Sequence, residues 1–218
     1  MTDGGARIEG AYRYSLWRRV GRSPRRVLFV MLNPSTADAN DDDPTIRRCI
    51  GFARAWGYGE LEVCNLFAYR TPHPRVLLAA RDPVGPENDA WLARAAGRAS
   101  RVVAAWGVVG MRSARAEVVM EILRGARVVC LGQTRGGAPR HPLYVAGGTR
   151  ARAFAWHTQI VSDQSIVSDA GEATALVQTT CPDGEDVVPL AEPPTSDREA
   201  SCPWGQEDRL RRGGHRAP

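Results

Sequence analysis

Lysine is missing from this chain of 218 residues, so all 29 basic side chains are arginine and every positive side chain is a guanidinium. Cysteine is sparse. Cys49, Cys64, Cys130, Cys181 and Cys202 are widely spaced and include no C-x-x-C pair, which leaves a zinc or redox site without support. Cys64 and Cys130 lie in apolar runs and read as buried thiols. No apolar run is long enough to cross a bilayer, which argues against a membrane partner. The opening residues MTDGGARIEG contain no hydrophobic signal core, and the expectation is a cytoplasmic protein.

Charge is present but unevenly spread. Residues 158–218 hold 5 arginines against 11 acids, a net of −6. Residues 1–157 hold 24 arginines against 13 acids, a net of +11. That basic part suits a polyanion such as nucleic acid. Arginine-favouring codon usage is an equally good explanation, and both readings stand at this point.

The most informative stretch is VLFVMLNPSTAD, Val27 to Asp38. Val27 to Leu32 read as an inner strand buried on both faces. Pro34 ends the pairing, which sets Asn33 at the C-terminal rim of a central strand, where open α/β sheets bind ligands. Asp43 and Pro44 read as the N-cap and first residue of a helix whose inner face holds Ile46, Cys49, Ile50 and Ala53. Gly57 reads as its C-terminal cap. Leu61–Phe67, Val102–Trp106 and Val128–Leu131 read as three further strands. Helices are expected over Pro74–Ala80, Pro86–Ala99, Ser113–Arg124 and Thr149–Trp156.

Strands alternating with helices predict an α/β fold in three layers, α/β/α, with a central, mostly parallel, four-stranded sheet. Residues 1–22 would extend that core with a strand or hairpin, and residues 23–157 would form the α/β domain. Residues 158–218 read as an acidic, mostly disordered tail.

Three strand ends carry polar loops that should meet on one rim. The first supplies Asn33, Pro34, Ser35 and Thr36. The second supplies Asn65, Phe67, Tyr69 and Arg70. The fourth leads to Arg140 and His141. Amides pair with base edges, and aromatic rings stack on unpaired bases. Imidazole can donate to a developing anion, and guanidinium can hold phosphate. Each residue alone also reads as an ordinary turn or loop residue; their recurrence at equivalent strand ends favours function. Asp38 lies close to Asn33 and could orient a water. The cluster Asp38, Asp41, Asp42 and Asp43 suits either Mg²⁺ or, preferably, a solvated loop whose last member caps the helix. Trp56, Tyr58 and Trp106 read as packing residues.

RYSLWRR, VLFVMLNPSTAD, DDPTIRRCIGFARAWGYGELEVCNLFAYR, DPVGPENDAWL, VVAAWG and RHPLY together resemble a family of unknown function numbered 1643. The likeness covers most of residues 12–145. More distantly, MLNPS, VCNLF, AAWG and RHPLY fall in the motif order of the uracil-DNA glycosylase superfamily. That resemblance implies a glycosylase-like fold. No cofactor and no metal are expected. The resemblance puts the water at Asn33, base reading at Asn65 and stabilisation of the departing base at His141. Met31 and Ser35 replace the glycines of the superfamily's first motif, and Leu143 replaces the serine of its last. There is no iron–sulfur cysteine set.

The expected function is therefore a nucleobase- or nucleotide-recognising enzyme that hydrolyses an N-glycosidic bond. Asn33, His141 and Asp38 would be its catalytic residues. Pro34, Ser35, Thr36, Asn65, Phe67, Tyr69, Arg70 and Arg140 would bind the substrate. Two alternatives are a non-catalytic nucleic-acid-binding module and a small-molecule enzyme acting on nucleosides or nucleotides. The sequence leaves the oligomeric state open.

Overall fold

The structure, a computed structural model, describes residues 3–156. The acidic segment read as a tail, residues 158–218, lies outside the described residues.

The chain forms β1 (Gly4–Glu9), β2 (Tyr12–Arg19), β3 (Arg26–Met31), α1 (Pro44–Ala55), β4 (Glu60–Asn65), α2 (Pro74–Ala79) and α3 (Asn88–Arg98). It continues with β5 (Arg101–Ala104), α4 (Gly107–Met111), α5 (Ala114–Ile122), β6 (Val128–Cys130), a 3-10 turn (Pro142–Tyr144) and β7 (Arg152–Ala153). One seven-stranded sheet results, in the order β1-β2-β4-β3-β5-β6-β7. Neighbours among β4, β3, β5 and β6 run parallel; β1 and β2 add antiparallel on one edge and β7 on the other.

The four expected parallel strands are therefore present, but the expected sheet size is corrected from four strands to seven. The N-terminal residues form a hairpin, β1 with β2, that adds to the sheet beside β4. The helix expected over Thr149–Trp156 is replaced by β7, which hydrogen-bonds to the exposed side of β6. Its apolar residues were real, but Phe154 and Trp156 serve a side cluster around Trp106 instead of a helical stripe. The short α4 was missed because GVVGM has no periodic face.

Side chains of the inner strands alternate between two cores, as the two-residue period requires. Val27, Phe29, Met31, Leu61, Val63 and Val103 pack with Ile46, Cys49, Ile50, Phe52 and Ala53 of α1. Leu28, Val30, Cys64, Val102 and Ala104 pack with Leu92 and Ala95 of α3 and Ala116 and Val119 of α5. Helices therefore cover both faces, which is why these strands are apolar throughout. The Asp43 side chain accepts from Ile46 N at 2.8 Å with Pro44 at the first helical position, as the sequence indicates. Gly57 follows the C-terminus of α1 at φ +73°, in the left-handed region that glycine tolerates.

One polar residue inside the sheet was not anticipated. Glu62 of β4 is fully buried, accepting from Ser15 Oγ at 2.7 Å, Arg26 Nη1 at 3.1 Å and Arg98 Nε at 3.0 Å. Two cations and a hydroxyl satisfy the carboxylate, so its burial is tolerable.

Candidate functional site

Parallel pairing puts the ends of β4, β3, β5 and β6 on one rim. Met31 pairs with Asn65, and Leu66 N donates to Met31 O at 2.8 Å just beyond the strands. Within β4, alternation sets Asn65 after Leu61 and Val63 on the α1 face. Asn33 lies beyond the end of β3, after Leu32, which packs on the α3 and α5 side, and is tied to the loop after β4. His141 reaches α1 by another route. The segment after β6 crosses to α1, where Arg48 donates from Nε to Pro142 O at 3.4 Å and from Nη2 to Val145 O. Val145 then packs against the α1 core. The two amides thus lie at the ends of adjacent strands, and His141 lies beside α1. Asp43, at the N-terminus of α1, acts electrostatically on both Arg13 and His141.

Much of the amide capacity is already used. Asn33 Nδ2 donates to Pro34 O at 3.0 Å and to Thr71 O at 2.8 Å, tying the end of β3 to the loop after β4. Its Oδ1 remains as an acceptor. Asn65 is 1% exposed; its Oδ1 accepts from Arg13 Nη2 at 3.4 Å, and its Nδ2 has no protein partner. Oδ1 must face the guanidinium because that group can only donate, and this fixes the amide orientation. Asn88, at the start of α3, donates through Nδ2 to Asn65 O at 3.1 Å and Leu66 O at 2.9 Å. Arg115 Nε also donates to Leu66 O, at 2.8 Å. These bonds hold the end of β4 rigidly.

His141 is half-buried, and burial lowers its proton affinity below the ordinary histidine value while Asp43 partly opposes this. Its Nδ1 accepts from Leu143 N at 3.4 Å. The proton of the neutral ring therefore sits on Nε2, which has no partner among the described residues and can donate. Tyr144 lies beside the ring at 5.7 Å between centroids and is 77% exposed.

The other expected residues are distributed as follows. Pro34 is buried, Ser35 half-buried and Thr36 exposed in the loop between β3 and α1. Phe67 packs against the α3 and α5 core, on the face away from Asn65. Tyr69 forms a bridge with Tyr12 and meets its ring edge-on at 6.1 Å, while Arg70 turns to the other side of that bridge. Arg140 is exposed, its N–H bonded to Gly132 O. Asp38 Oδ1 accepts from Asn40 N at 2.8 Å and Asp41 N at 2.9 Å. Those bonds, first that from Asp41, lower its pKa, so it stays ionised and is a weak base near neutral pH. Asp42 accepts from the buried Arg18 at 2.9 Å, and Arg18 also donates to Asp38 O at 2.7 Å. The acidic cluster is thus a loop pinned to β2. Among the described residues, no three His, Cys, Asp or Glu side chains are grouped to hold a metal ion.

The principal residue missed by sequence reasoning is Arg13. It is 2% exposed, donates to Ala37 O at 2.9 Å and reaches Asn65. A β-bulge at Tyr14, between the pairs Arg7–Ser15 and Ile8–Arg13, shifts the register there. Nothing in RYSLWRR marks the bulge, so its alternation does not show that Arg13 turns inward.

A separate cavity of about 430 Å³ lies beyond β6, lined by Met111, Gln133, Thr134, Arg135, Gly136, Gly137 and Ala155. None of the expected site residues lines it.

No curated protein matches this chain, and no solved structure matches it. The family described as "Protein of unknown function (DUF1643)" matches residues 13–143, well over half of the sequence, and this span runs from Arg13 through Asn33 and Asn65 to just beyond His141. The chain belongs to the DUF1643 family.

Proposed function

We propose that this protein is a nucleobase- or nucleotide-recognising enzyme that hydrolyses an N-glycosidic bond at the α1 side of the rim. The observation that carries the reading is the setting of His141: a half-buried ring whose burial disfavours the charged form, whose Nδ1 accepts from Leu143 N and whose Nε2 has no partner among the described residues. Such a group donates a hydrogen bond to an oxygen that becomes anionic without first needing a proton from solvent. In the reaction, water adds to the anomeric carbon and the C–N bond breaks. The bonding pair leaves with the base, and one proton of the water ends on the departing nitrogen. His141 Nε2–H stabilises the base oxygen on which charge collects. Asn33 Oδ1 orients the water. Asn65, whose Oδ1 is committed to Arg13, offers Nδ2 to an acceptor of the ligand. Asp38, with Oδ1 bonded to the loop backbone and its pKa lowered, is a weak base, and its role would be to help orient the water. The resemblance in motif order to the uracil-DNA glycosylase superfamily supports the roles given to Asn33 and His141.

His141→Ala tests this. Turnover is expected to fall by roughly 10²–10³-fold, the size of a lost oxyanion donor, with ligand affinity changing little. Turnover equal to the parent protein's would remove His141 from the mechanism.

A further inference from the structure

Six buried side-chain polar atoms among the described residues have no protein partner. Asn88 Oδ1 is an acceptor at the start of α3, and Arg101 Nε and Trp106 Nε1 stand elsewhere, while Arg13 Nε, Arg70 Nε and Asn65 Nδ2 are donors around the ends of β2 and β4. Buried polar atoms are almost always bonded, so three orphans in one neighbourhood call for a shared explanation. All three are donors, and their complement is a group that only accepts. Among the described residues, neither Arg13 nor Arg70 has a carboxylate within ion-pair distance. Arg18, further along the same strand, contrasts with them: it has Asp42 at 2.9 Å.

Backbone pairing puts the two guanidiniums together. Arg13 N donates to Ala68 O and Arg70 N to Ala11 O, each at 2.9 Å, around the bridge of Tyr12 with Tyr69. Alternation then sets Arg13 and Arg70 on one face as diagonal neighbours, within reach of long side chains, and both tyrosines on the other. Burial, and to a lesser extent the nearby Arg70, lowers the pKa of Arg13 to about 10, with Asp43 opposing from beyond contact distance. Two adjacent cations held without a paired anion cost stability.

We propose that Arg13, Arg70 and Asn65 form an oxyanion subsite that holds a phosphate or carboxylate group of the ligand. The subsite deepens the reading above and rests on it for the place of binding. It does not rest on the reaction, since the anion is held whether or not a glycosidic bond breaks. Asn65 presents only its donor, so an alternating donor–acceptor base edge would be only half met, whereas an oxyanion is met fully. Arg13 at 2% exposure also lies too deep for a polymer backbone crossing the surface. The fitting ligand is a small molecule, such as a nucleoside monophosphate, whose charged end enters the fold.

The test is thermal melting of the full chain with inorganic phosphate or acetate, against chloride at equal ionic strength. A saturable rise of at least about 2 °C is expected with an oxyanion and not with chloride. Response to phosphate alone assigns the phosphate source, and response to acetate alone the carboxylate. Asn65→Asp gives Arg13 a carboxylate partner and replaces the Asn65 donor with an acceptor. It should melt higher without anion and lose the anion-dependent rise. Arg70→Gln, away from the strand core, should weaken the apparent affinity at least tenfold and serves if the first variant fails to fold. No rise beyond chloride, or a full rise retained in the folded variants, overturns the subsite. An oxyanion-dependent rise without any base release keeps the subsite and sinks the glycosidic reading, so the two failures are distinct.

Discussion

At the scale of single residues, the site depends on what each polar atom has already committed. Asn33 and Asn65 were legible as strand-end amides because Pro34 stops one strand and a polar loop follows the other. Their commitments were not legible: Thr71 and Arg13 are distant in sequence and find them only through the fold. His141 carries the clearest prediction. Its pKa is lowered by burial and held up by Asp43. Folding therefore favours the neutral ring. The stability tied to this is full above the unfolded value of about 6.5 and is lost as pH falls through that value toward the folded one. Asp43→Asn, which keeps the helix cap, should move the His141 midpoint still lower. An NMR titration of the ring measures this, and an unchanged or raised midpoint would refute the electrostatic link across α1. Cys49 and Cys64 lie buried in the two cores with burial raising both thiols, so neither should react with alkylating agents until the chain unfolds.

At the scale of elements, the sequence was most readable where local and tertiary demands agree. The α1 cap, its inner face and the apolar inner strands obey both. Reading failed at the periphery. β7 has two residues and no pattern of its own, since it exists only because β6 offers an unpaired edge. The bulge in β2 is likewise a product of pairing with β1. One further device is visible only in three dimensions: a Cβ on Gly59 would lie 1.7 Å from Ser23 O. The turn before β3 and the start of β4 touch backbone to backbone there. Gly59→Ala should therefore destabilise by at least about 2 kcal/mol, in the upper range for single substitutions. Urea denaturation measures it, and a loss below about 0.5 kcal/mol would show that this contact yields easily.

At the scale of the whole molecule, ion pairing leaves the net charge of residues 1–157 at +11, because the acids that pair with Arg18, Arg26, Arg98 and Arg115 are already counted in it. A general nucleic-acid-binding module would therefore show affinity that falls steeply with salt, and a gel-shift titration at two salt concentrations checks this. Both cores are built from residues between Ala6 and Trp156. A chain ended after Ser162 should then keep a single cooperative melting transition, and a broad, non-cooperative melt would show that the later residues complete the fold.

The central claim is that a base is released at the rim that holds Asn33, Asn65 and His141. Chromatography of nucleosides, nucleoside monophosphates and short single strands after incubation with the full chain tests it most directly. Free base should accumulate from at least one of these classes in proportion to the amount of protein. Substrates recovered intact across all of them would contradict the account.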